Sequence, residues 1–220
     1  STSSLKLNSN NIVLGNIAGQ TLQGSNSIAI GYAAGYTNQG SSSVAIGDGS
    51  AVYNQKIYCT AIGMQSGYNN QANHGIALGY QAGYQNQGDS SISVGKKSAE
   101  INQNQNSVAI GTQSGRYNQG VNCVSIGLNS GYTGQNNESI AIGSHAGYNT
   151  QGSNSIAIGS FSGNTSQKNN NVAIGCSAGY TNQGTFSVAI GHEAGYSNQG
   201  TFSIAIGTNA AYGSQGISSV

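Results

Sequence analysis

The chain has 220 residues with 35 Gly, no Pro and no Trp; 5 % of residues are charged and the formal net charge is +1. Its six Lys or Arg are scattered and form no basic stripe, which argues against a nucleic-acid partner. The longest apolar run is a few residues, too short to span a membrane, and the low charge with apolar residues at fixed phase argues against disorder.

Residues 1–8, STSSLKLN, stand out of phase with everything after them and are expected to form a lead-in strand, carried by Leu5 and Leu7, that caps the first coil. From Ser9 to Gly216 the chain divides into thirteen blocks of sixteen residues, and 217–220 opens another. The clearest block is Ser25–Gly40, SNSIAIGYAAGYTNQG, and positions are numbered here from 1 at Ser25 to 16 at Gly40. A short fixed period of this kind predicts an all-β solenoid, one coil per block, with like positions stacked in parallel register. Sixteen residues rich in Gly, Ser and Asn cannot supply a helix pair.

Positions 3 to 6 alternate small and large, as a β-strand requires. Position 4 is Ile or Val apart from Thr60, and position 6 is Ile, Leu or Val. The resulting aliphatic ladder includes Ile28 and Ile30, Val44 and Ile46, Ile76 and Leu78, Val108 and Ile110, Ile140 and Ile142, Ile156 and Ile158, Val188 and Ile190, and Ile204 and Ile206. Position 7 is invariably Gly, among them Gly31, Gly47, Gly63, Gly79, Gly111, Gly143, Gly159, Gly191 and Gly207, which predicts a corner where φ is positive or no Cβ fits. Positions 10 and 11 are always small. Position 15 is invariably Gln, including Gln39, Gln55, Gln71, Gln87, Gln119, Gln151, Gln183 and Gln199. A solvent-facing site would not need one long amide in every coil, so an inter-coil amide ladder is expected.

Departures from the pattern follow in chain order. Block Ser41–Lys56 moves its aromatic by one place to Tyr53, and Ile57–Ala72 carries Tyr58, Cys59 and Thr60. Block Asp89–Asn104 holds the one charge cluster, Lys96, Lys97 and Glu100, where a solvated face or a partner contact is expected. Phe186 and Phe202 share position 2 in the last two full blocks. Tyr36, Tyr84, Tyr148, Tyr180 and Tyr196, all at position 12, are with Lys96 and Lys97 the candidate surface contacts.

No constellation points to catalysis, a cofactor or a metal. His74, His145 and His192 fall at three different positions in separate blocks, and the five acids are isolated in sequence. Calcium-binding rolls need an Asp in every unit, where this repeat has Asn and Gln. Cys59 and Cys123 share position 3 four blocks apart, beyond disulfide reach, and read as serine-sized members of a ladder.

The motif Asn-Ser-Ile-Ala-Ile-Gly at Asn26–Gly31 and Asn154–Gly159, with SVAIG at Ser107–Gly111 and Ser187–Gly191, resembles the head repeat of YadA-type trimeric autotransporter adhesins. Similar repeats also resemble predicted fibre proteins of large DNA viruses and phages. The resemblance implies a left-handed parallel β-roll, a homotrimer about its long axis, display at a cell or virion surface, and binding to host-cell or extracellular-matrix molecules. The second half of the block, Ala-Gly-Tyr-x-Asn-Gln-Gly, departs from the usual shorter bacterial coil. The chain opens without Met and breaks off within a strand, so both ends read as cuts through a longer polypeptide.

Physics leaves two arrangements of the alternating strand. If small residues at positions 3, 5, 10 and 11 fill a thin interior, the ladder of positions 4 and 6 faces outward and calls for burial at a threefold axis. If the isoleucines point inward, the chain is a single solenoid with a flat face of small residues. The expected function is a non-enzymatic, adhesive surface rod whose partners are its own copies and host-surface molecules. A self-assembling virion or extracellular coat is the alternative, and an ice-binding solenoid stands behind it.

Overall fold

The computed structural model describes residues 5–8 and 10–220. Residues 1–4 and 9, which belong to the expected lead-in and the head of the first block, lie outside the described residues. The fold is a parallel β-solenoid of about 12 turns at a spacing of ~16 residues, with no helix among the described residues. It divides into two compact units, Ser1–Ser107 and Val108–Val220, built on one plan.

In the first unit, strand Leu5–Asn8 runs antiparallel to Asn11–Leu14, and every later pairing is parallel. Strands Asn11–Leu14, Ile28–Ile30, Val44–Ile46, Thr60–Ile62, Ile76–Leu78 and Ile92–Val94 form one sheet from positions 4–6. Strands Tyr53–Gln55, Asn69–Gln71, Gln85–Gln87 and Ile101–Gln103 form a second sheet from positions 13–15. Register advances by one block per rung: Ile28 opposes Val44, Val44 opposes Thr60, and Gln55 opposes Gln71.

The second unit repeats this with strands Val108–Ile110, Val124–Ile126, Ile140–Ile142, Ile156–Ile158, Val172–Ile174, Val188–Ile190 and Ile204–Ile206. Its second sheet comprises Tyr117–Gln119, Thr133–Gln135, Asn149–Gln151 and Thr165–Gln167, continued by isolated bridges from Thr165 to Thr181 and from Thr181 to Ser197. At the end of the chain, Ile204 N–H donates to Ser219 O at 2.8 Å, so residues 217–220 pair as the start of a coil.

Two three-residue strands fit into sixteen residues because the connections turn abruptly through left-handed backbone. In the consensus coil Asn26, Ala33 and Asn38, at positions 2, 9 and 14, have φ of 57°, 52° and 57°. A non-glycine residue costs roughly 1–2 kcal/mol there, least for Asn, which explains the Asn at positions 2 and 14. The corner at position 7 is stricter. Gly31 has φ of 127°, and a Cβ on it would lie 2.5 Å from the carbonyl oxygen of Gly47. Its own N–H reaches back to Leu14 O at 2.8 Å, so the same tight stacking that pairs the coils excludes any side chain.

The interior is made of small residues. Ser27, Ala29 and Ala34 are completely buried, as are their counterparts Ser43 and Ala45, Ala61 and Ser66, and Ala141 and Ala146. The largest buried side chains are the position-15 glutamines, Gln39, Gln55, Gln71, Gln87 and Gln103 in the first unit and Gln119, Gln135, Gln151, Gln167 and Gln183 in the second. Each coil is too thin for an aliphatic core, and its one long side chain bonds its Nε2 internally, although the Oε1 atoms of Gln55, Gln167 and Gln199 are buried without a partner.

Candidate functional site

The interior carries structure and no solvent-reaching chemistry. Gln71 Nε2 donates to Thr60 O at 3.1 Å, Gly75 O at 3.0 Å and Gln87 Oε1 at 3.0 Å, while its own Oε1 accepts from Gln55 Nε2 at 3.0 Å. In the second unit Gln119 donates to Gln135 and Gln135 to Gln151, both at 3.2 Å. Position 3 supplies a second buried ladder. Ser43 Oγ donates to Lys56 O at 2.8 Å, and Cys59 Sγ and Cys123 Sγ make the equivalent bond to Ala72 O and Asn136 O at 2.9 Å. Thiol thus replaces hydroxyl at one geometric site. Burial pushes the Cys59 thiol up to about 11, and burial likewise raises that of Cys123. Cys176, at position 8, is exposed.

The aliphatic ladder lies on the outside. Around the fully buried Ala29, Ala45 and Ala77, their strand neighbours Ile28 and Ile30, Val44 and Ile46, and Ile76 and Leu78 are only half-buried. In the second unit Val108, Ile140, Ile142, Ile156, Ile158, Val188 and Ile190 are half-buried, while Ile110, Ile204 and Ile206 are exposed. This excludes the inward arrangement of the isoleucines. Position 8, directly after the corner glycine, adds further exposed apolar side chains: Tyr32, Met64, Tyr80 and Leu128 are 37–55 % exposed. A row of half-exposed aliphatics in every rung is an unusual apolar surface for a lone soluble chain.

The position-12 tyrosines are half-buried because they stack on one another, except Tyr212, which is exposed. Tyr68 and Tyr84 lie 4.9 Å apart between ring centroids at 19°, Tyr132 and Tyr148 4.9 Å at 15°, and Tyr180 and Tyr196 4.9 Å at 5°. Faces are therefore mostly taken by neighbouring rings and edges are left to solvent. Tyr36 instead meets Tyr53 edge-on at 6.5 Å and 86°. Burial, followed by the neighbouring Tyr53, raises the Tyr68 phenol above its ordinary value. Phe186 and Phe202 stack at 5.3 Å with both rings more than half exposed. Of the charge cluster, Lys97 pairs with Glu100 at 3.1 Å and Lys96 is exposed.

Two features escaped the repeat pattern. Exposed asparagines at position 14 form their own chain of amides: Asn38 to Asn54, Asn54 to Asn70, Asn70 to Asn86 and Asn86 to Asn102, at 3.0, 3.2, 3.0 and 2.9 Å. Their recurrence was visible in the sequence, but a run of Asn is also what turns demand. The second feature is Arg116, whose guanidinium lies 4.7 Å over the Tyr117 ring and 5.6 Å from that of Tyr132. Among the described residues no group of three or more His, Cys, Asp or Glu could hold a metal ion. His74 meets Asp89 at 3.5 Å, and His145 stacks on Phe161 at 4.9 Å, in separate places.

The family model of the YadA head domain repeat matches residues 199–210, in two copies. This segment carries the strand Ile204–Ile206 with buried Ala205 at its centre and Gly207 at its corner, the same arrangement as every other coil. The parallel β-solenoid with its ~16-residue coils is consistent with YadA-type head repeats. No curated protein matches the chain. The YadA-type repeat and the β-solenoid are structural adhesin features rather than enzymatic ones. No helix among the described residues is long and apolar enough to cross a membrane.

Proposed function

We propose that the chain is the adhesive, non-enzymatic part of a surface fibre and works as a homotrimer, with the aliphatic ladders of three chains packed against one another. The observation that carries this reading is the outward placement of positions 4 and 6 beside a fully buried alanine. Six rungs in the first unit and seven in the second present two such side chains each, apart from Thr60–Ile62, where Thr60 takes position 4. Complete burial of one aliphatic side chain contributes ~1.5–3 kcal/mol, so covering the exposed part of a half-buried one contributes about 1 kcal/mol. A single rung cannot offset the ~4–15 kcal/mol cost of association, whereas a stack of rungs can. Identical rungs on three chains also multiply weak contacts to a cell or matrix surface into useful avidity. Location at a cell or virion surface follows from the same reading.

Sedimentation equilibrium at micromolar concentration is expected to give three times the 22.2 kDa chain mass. The double substitution Ile126→Lys with Ile174→Lys, at rungs where these residues are 37 % and 36 % exposed, should yield single chains with an unchanged circular dichroism spectrum. A wild-type protein that sediments as a monomer sinks the trimer. For adhesion, beads coated with the protein should retain cultured epithelial cells or a basement-membrane gel, and lose that retention with the double variant. Extended lattices in electron micrographs would instead favour a self-assembling coat.

A further inference from the structure

The aromatic ladder of the first unit is interrupted at one coil, and the interruption is a bay. Coil Ser41–Lys56 has Val52 where its neighbours have Tyr36 and Tyr68, and its own aromatic, Tyr53, sits one place later. It also has Gly49 at position 9, where the neighbouring coils carry Ala33 and Gln65. A Cβ at Gly49 would sit in ordinary contact with Gln65 Cγ at 3.5 Å and Val52 Cγ2 at 3.7 Å, and its absence leaves that room beside the rings. The result is a bay of about 380 Å³ walled by Tyr32, Tyr36, Tyr53 and Tyr68, with Asp48 and Gln65 at its polar side. Asp48 is exposed and its carboxylate has no ion-pair or hydrogen-bond partner among the described residues.

The second unit shows what such a bay takes. Coil 105–120 has the same displaced aromatic, Tyr117, followed one coil later by Tyr132. Tyr117 and Tyr132 lie 5.5 Å apart at 89°, and Tyr53 and Tyr68 lie 5.6 Å apart at 87°. At the position of Val52 this coil has Arg116, and its guanidinium covers both rings and donates from Nη1 to Tyr132 Oη at 2.9 Å. The two ring pairs are the same device. One is filled by the chain's own cation, and the other is left open by a short side chain beside an unpaired carboxylate.

We propose that the bay at Tyr36, Tyr53 and Tyr68 binds an arginine side chain of a partner protein. The guanidinium lies on the tyrosine rings as that of Arg116 does, and Asp48 supplies the opposite charge. Arginine suits the site better than lysine because its planar group both stacks and forks. A neutral sugar also stacks on rings and donates its hydroxyls to a carboxylate, but it brings no charge to match that of Asp48. Every group named lies on one chain. Failure of the trimer would appear in the solution mass, and failure of the bay in the titration below.

The test is an NMR titration of the full chain with the peptide acetyl-Gly-Arg-Gly-amide, following the amide resonances of Gly49, Tyr53 and Tyr68. Saturable shifts are expected, with a dissociation constant on the order of millimolar. The peptide with citrulline in place of arginine, equal in shape but uncharged, should bind about tenfold more weakly. Asp48→Asn should weaken the arginine peptide about fivefold, and Val52→Arg, which copies coil 105–120, should abolish its binding with the circular dichroism spectrum retained. Equal binding of arginine and citrulline peptides overturns the proposal, as does the absence of any saturable shift. Binding of methyl glucoside that is indifferent to Asp48→Asn also overturns it, in favour of a sugar site. Should Val52→Arg fail to fold, Asp48→Asn and the citrulline pair decide the matter alone.

Discussion

Replacing Gln71 by Met keeps an unbranched side chain of similar length and removes only the carboxamide. Gln71 is fully buried, and the change deletes its bonds to Thr60 O, Gly75 O and Gln87 Oε1, together with the one it accepts from Gln55. Gly75 O keeps the N–H of Thr60 at 2.9 Å, and Gln55 Nε2 keeps Val44 O at 3.1 Å. Gln87 Oε1 is left buried with no donor. With about 1 kcal/mol for the bond to Thr60 O and ~1–3 kcal/mol for the orphaned acceptor, less the gain from a more apolar side chain, the loss is about 2 kcal/mol. The comparison is Asn70→Ser on the exposed ladder beside it, which loses bonds to Asn54 and Asn86 in water and should cost under about 1 kcal/mol. Urea denaturation followed by tyrosine emission and circular dichroism gives the overall change. Hydrogen exchange of coil 57–72 gives the local opening, which matters because solenoids unfold in parts. If Gln71→Met costs no more than Asn70→Ser, the amide ladder is not what holds the interior together.

Gly79→Ala should cost at least about 3 kcal/mol and lower the melting temperature sharply, because φ is 129° and the added methyl would sit 2.7 Å from Gly95 O. A variant that melts with the wild type would show that the corner can relax. The thiols offer a chemical check. At pH 8 an aromatic disulfide reagent should titrate exposed Cys176 at once, and Cys59 and Cys123 only after denaturation. The folded Cys59 thiol lies at about 11, above its ordinary 9.0, so the folded state holds that proton more tightly than the unfolded chain does. Its contribution to stability is full below pH 9 and is lost as pH rises from 9 to about 11, which Cys59→Ser should remove from the pH–stability profile.

Period, strand positions, corner and buried amide are all legible in the order of the amino acids. In a parallel in-register stack each coil meets its neighbour at the same atoms, so a steric or hydrogen-bonding demand is written once per turn and survives the variation around it. Gly31 is the plainest case, since the carbonyl that forbids its Cβ belongs to the next glycine of the same series.

Which face of the strand lies inside emerges once the coil closes on itself. Ser27, Ala29 and Gly31 on one side and Ile28 and Ile30 on the other are equally good alternations, and hydrophobicity alone would favour burying the isoleucines. The width of the coil reverses that preference: a Cβ added at Gly35 would already lie 2.6 Å from Gln39 Oε1, so the space between the sheets holds small side chains and one amide, and the aliphatics must lie outside. The bay was hidden for the opposite reason. Val52, Gly49 and Asp48 stand apart from the repeat, and what a departure does depends on which rings the adjacent coils place around it, a relation that exists only once the chain is wound.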